Sequence, residues 1–165
     1  MLKGNLLGGD LRSISNVSEI VKTIDTQQVF DTLIGFLSSS DRLLQMRSID
    51  AIEKITINYP EFLIPHKNTF LELSKQKQTI EFKWHLAQLF PRLPLNQAEL
   101  IQLFETLKNW ALTTNESKIV RVNSIQALYD IMPKLLDKQE EFQQILADIQ
   151  QENIPSLNAR IKKLI

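Results

Sequence analysis

The chain has no cysteine. Disulfides, thiolate metal sites and cysteine nucleophiles are therefore excluded together, and a reducing compartment suits the composition. Four glycines and six prolines are too few for a turn-rich β-sandwich or a disordered tail. Net charge is absent as well: 19 Lys and Arg balance 19 Asp and Glu, so no global field draws the protein to nucleic acid or to an anionic membrane. No apolar run approaches the roughly 20 residues of a membrane span, and the opening Met1–Asp10 is too short in apolar residues for a signal peptide. A cytoplasmic protein without membrane contact is expected. Walker, GxGxxG, GxSxG and HExxH signatures are missing, and the carboxylates are scattered over helix starts and exposed faces. The two histidines, His66 and His85, fall on different segments, where no set of metal ligands converges. These absences predict a protein with no catalytic residues, no metal and no cofactor.

What is present is a repeat. Leu44, Ser48, Ala51, Ile52 and Ile55 recur 38 positions later as Phe82, Leu86, Leu89, Phe90 and Leu93, and after another 38 as Val120, Ser124, Ala127, Leu128 and Ile131. These offsets mark one face of an α-helix, and a fixed period of that length is what stacked helix pairs produce. The 165 residues, 43% of them hydrophobic, suffice for one domain with a core. The chain therefore reads as an all-α protein, an α-solenoid, whose purpose is to present a surface to something else.

Asn16 with Glu19 resembles a capping box and opens a first helix near residues 16–25. A second helix ends near residue 38, in the cluster Ser38-Ser39-Ser40-Asp41, which suits a turn and the next N-cap. The first patterned helix covers 42–58 and is closed by Pro60, whose ring disfavours helix at Tyr59. Pro60 and Pro65 start short helical pieces, and a polar link at 74–79 leads to the second patterned helix, 79–92. Asn96 with Glu99 makes another box-like start. The third patterned helix runs over 117–132, Asp137 with Glu140 opens the next, and a short helix after Pro155 closes the chain. The expected organisation is a single domain over 1–165, with an N-terminal cap (1–25) and helix pairs at 26–58, 60–92, 96–132 and 137–165.

The stretches Leu44-Gln45-Met46-Arg47-Ser48-Ile49-Asp50-Ala51-Ile52 and Val120-Arg121-Val122-Asn123-Ser124-Ile125-Gln126-Ala127-Leu128 resemble the second helix of HEAT and armadillo-type repeats. Small residues at Ser48, Ala51, Ser124 and Ala127 let neighbouring helices approach closely. The middle copy departs, carrying Leu86 and Leu89 there. The resemblance covers roughly residues 26–165 and implies a right-handed α-α superhelix of about four helix pairs. It implies little about function, because such folds carry many.

The resemblance also implies that the second helix of each pair lines a concave side. Positions three, six and ten after the first pattern residue share a narrow face: Arg47, Asp50 and Lys54; His85, Gln88 and Arg92; Asn123, Gln126 and Asp130. Lys83 and Arg121, with Gln45, flank this polar ladder, so a mildly basic groove is expected. Trp84 stands beside it, either as a binding anchor or, because it aligns with Met46 and Val122, as a packer between repeats. The ladder itself is either a contact face or a solvated one laced by near-neighbour ion pairs. Gly8-Gly9-Asp10 reads as a turn of the N-terminal cap, and Arg160, Lys162 and Lys163 as cations at the end of a C-terminal cap helix.

The expected function is that of a non-catalytic interaction module or adaptor, binding another protein or peptide through Arg47, Asp50, Lys54, Lys83, Trp84, His85, Gln88, Arg92, Arg121 and Asn123. The alternative is a groove that grips nucleic-acid phosphates, as in HEAT-like DNA glycosylases, which the balanced charge disfavours.

Overall fold

The computed structural model describes residues 2–7, 21–24, 26–76 and 78–165. Among them there are helices and turns but no strand. The chain divides into two compact units, Met1–Thr69 and Phe70–Ile165. The expected Asn16–Glu19 box, most of the helix it was to open, and the Gly8-Gly9-Asp10 turn lie outside the described residues, although residues 21–23 are helical.

The first unit contains α1 (Leu2–Leu7), α2 (Gln27–Phe36), α3 (Arg42–Asn58) and a 3-10 segment, Pro60–His66. α2 starts where Thr26 Oγ1 accepts the Val29 amide, and α3 where Asp41 Oδ1 accepts those of Leu43 and Leu44 at 2.9 and 3.2 Å. Both caps satisfy amides that have no partner within the helix. α3 stops at Asn58, as Pro60 requires. The two pieces expected at Pro60 and Pro65 are one continuous 3-10 segment containing both prolines. α1, α2 and the 3-10 segment all pack on α3. Gln27 donates to the Phe62 carbonyl (3.2 Å), His66 Nε2 lies 2.6 Å from Asp31 Oδ1, and the Phe30 and Phe62 rings are tilted against each other, so the segment is fastened to α2.

The division between the units falls within α4 (Lys67–Lys75). The second unit continues with α5 (Ile80–Leu89), α6 (Gln97–Leu112), α7 (Lys118–Ile131), α8 (Gln139–Gln151) and α9 (Pro155–Ile161). Thr79 caps α5, and Asn96 and Glu99 form the expected capping box of α6, at 2.9 and 2.8 Å. The periodicity ran α5 on to residue 92, but the α-helix ends at Leu89 and gives way to a 3-10 turn, Phe90–Arg92. Pro91 lacks the amide that would continue the ladder, and its ring crowds the carbonyl four residues back. The box expected at Asp137 and Glu140 does not form. Asp137 sits in a 3-10 turn, Leu136–Lys138, and α8 begins after Lys138 with no side-chain cap. α7 packs against α6, its partner in sequence, and on its flanks against α5 and α9; α8 touches α6 and α9. Within this unit α5, α7 and α9 therefore form one row, with α6 and α8 behind it.

Every residue of the 38-residue pattern is buried, none more than 2% exposed. The hydroxyls in this stripe leave no orphan donor, because Ser48 Oγ donates to the Leu44 carbonyl (2.7 Å) and Ser124 Oγ to that of Val120 (2.8 Å). Around the second unit's stripe lie Phe104, Leu107, Leu146 and Ile161, also buried. Removing one such phenylalanine ring typically costs about 3–5 kcal/mol.

Candidate functional site

An α-helix turns about 100° per residue. Counted from the first pattern residue, the second position after it lies nearly opposite the centre of the core stripe. The first and third lie about 80° to either side, on the shoulders where neighbouring helices approach. This geometry governs where the candidate residues sit.

Third positions are consumed by packing. Arg47, His85 and Asn123 are 3%, 4% and 8% exposed. These three are buried and not presented to a groove, which corrects the expected ladder at one position in each repeat; Asp50, Lys54, Gln88, Arg92 and Gln126 are half-buried, and Asp130 is exposed. The Arg47 guanidinium donates to the carbonyl of Leu6 in α1. Asn123 donates to the Ile119 carbonyl (2.8 Å) and accepts from Gln88 Nε2 of α5 (2.9 Å). His85 stacks under the Trp84 indole.

First positions reach backwards. Gln45 Nε2 donates to the Leu37 carbonyl at the end of α2 (2.8 Å), and Arg121 Nε to the Ala111 carbonyl near the end of α6 (2.7 Å). Carbonyls in the last turn of a helix lack an intrahelical partner and carry the negative end of its dipole, so a long donor one helix later suits them. Arg121 goes further. With no residual exposure, it grips Glu152 with both terminal nitrogens, at 2.8 and 2.6 Å. Those hydrogen bonds hold the Glu152 carboxyl below the usual carboxylate range, against the opposing effect of burial. Lys83 pairs with Glu116, and its ammonium lies 4.8 Å from the centre of the Trp110 ring.

The expected basic groove is therefore not assembled. Of its five cations, Arg47 and Arg121 are buried on internal acceptors, Lys83 is paired with Glu116, and Lys54 with Asp50 at 2.8 Å. Arg92 is half-buried.

Second positions are more open than the third, as are Gln45 and Lys83 among the first. Met46, Trp84 and Val122 are all half-buried, so Trp84 is neither a sealed core packer nor a fully exposed anchor. Beside them stand the sixth positions Asp50, Gln88 and Gln126, likewise half-buried. In the second unit these glutamines link the row: Gln88 to Asn123 of α7, and Gln126 Oε1 to Arg160 of α9 (2.6 Å). Ile119 and Tyr129, 45% and 42% exposed, extend the same side of α7. The accessible face of the row thus keeps the sixth and tenth positions of the expected ladder and has Trp84 and Val122 in place of its third positions. Its signal was present in the register of Met46, Trp84 and Val122.

Two further features belong to the second unit. Lys83, Trp110 and Glu116, with Ser74, Gln78 and Asn109, line an open polar cleft of about 690 Å³. Behind the row, Lys108 bridges Glu105 and Glu141, and Lys138 also pairs with Glu141 (2.8 Å), so that hydrogen bonds from two ammonium groups hold the Glu141 carboxyl low. Among the described residues no group of three or more His, Asp or Glu side chains is placed to hold a metal ion, and no helix is long and apolar enough to cross a membrane. None of the family models, curated proteins or solved structures compared with the chain matches it.

Proposed function

We propose that the chain is a non-catalytic protein-interaction module of the HEAT-like α-solenoid kind, and that it binds a partner protein or peptide through the accessible face of its inner helices. The observation that carries this reading is the pair of matched links in the second unit. Gln88 to Asn123 and Gln126 to Arg160 join successive row helices from equivalent positions 38 residues apart. A row held in register by such links offers its outward side chains at fixed spacing, so little ordering entropy is lost on binding. Trp84, with Val122, Ile119 and Tyr129, supplies the mixed aromatic and aliphatic surface that interface centres favour. The phosphate-gripping alternative loses support, because Arg47 and Arg121 would have to leave buried acceptors to reach a backbone phosphate.

The test is site-specific photo-crosslinking in native extract, with the photoreactive residue placed at Trp84, Val122 or Gln126, or, for comparison, at exposed Gln102 on α6. A discrete protein adduct from the row positions, absent at Gln102 and indifferent to nuclease, is expected. Adducts formed only at Gln102 would move the contact to the other side, and adducts that vanish with nuclease would replace the protein partner by nucleic acid.

A further inference from the structure

We draw no further inference here: the strongest candidate, the open polar cleft of the second unit between α4, α5, α6 and the loop before α7, has the charged groups on its described walls already paired within the protein (Lys75 with Glu72, Lys83 with Glu116, Glu105 with Lys108) and nothing in the structure shows what would fill it.

Discussion

α3 of the first unit and α7 of the second share one pattern, yet at the position after its first residue one carries Gln45 and the other Arg121. Both side chains reach back to a carbonyl at the end of the preceding helix, Leu37 or Ala111. Gln45 has done its work with that one bond. Arg121 is enclosed completely, and a buried guanidinium is tolerable only because Glu152 accepts from both of its terminal nitrogens in a two-pronged pair. A repeat position thus specifies a task, reaching the previous helix end, while the residue that performs it depends on what else stands within reach.

Substituting Arg121→Met breaks this comparison hardest. It strands the Glu152 carboxylate and leaves the Ala111 carbonyl without its donor. A loss of about 1.5–3 kcal/mol in urea unfolding is expected, the range for hydrogen bonds to a charged group, because the Glu152 carboxylate left behind is partly open to water. A loss below about 1 kcal/mol would show that the pair contributes no more than a surface bridge. Gln45→Ala removes one neutral hydrogen bond and should cost about 1 kcal/mol in the same assay. Equal losses for the two variants would erase the distinction between the two side chains.

Acid sharpens the contrast. Hydrogen bonds from Arg121 depress the folded pKa of Glu152 from its ordinary 4.5. Its contribution is therefore complete above that value and is lost as pH falls through the lower, folded pKa. Lys108 and Lys138 depress Glu141 with the same sign, and in the first unit Gln27 and then His66 depress Asp31 below its ordinary 3.8. Melting temperature should fall below about pH 4.5, and the fall should be shallower in Glu152→Gln, which has no proton to take up there. An identical acid limb in variant and wild type would dissociate Glu152 from the effect. The smallest change is expected for Lys54→Ala. It removes a half-buried pair with Asp50 within one helix, a type of i,i+4 pair worth roughly 0.3–0.5 kcal/mol, and a double-mutant cycle with Asp50→Ala would read that coupling.

The core was legible in the sequence almost completely. Apolar spacing chose the buried stripe of α3, α5 and α7, and Asp41, Pro60 and the Asn96–Glu99 box set helix ends where the structure has them. Those features are local, fixed by backbone geometry and by a side chain within three residues. The accessible face was less legible, because a helical wheel gives direction and not company. Arg47, His85 and Asn123 point sideways, and whether a sideways residue is exposed depends on the helix beside it. For Arg121 there is a second reason: its acceptor Glu152 lies 31 residues away, beyond any local pattern. At Asp137 a 3-10 turn moves the N-cap on by one residue, to Lys138, a difference of the size such boundaries carry.

The Arg121 fork also bears on how the second unit opens. One side chain rooted in α7 holds Ala111 in the last turn of α6 and Glu152 just past α8. Fraying at either end must first release this clasp, so the two termini are expected to exchange their amide protons in a common opening event, slower than that of helix ends left to water. Ends far apart along the chain become one cooperative element, through a residue that lies in neither helix.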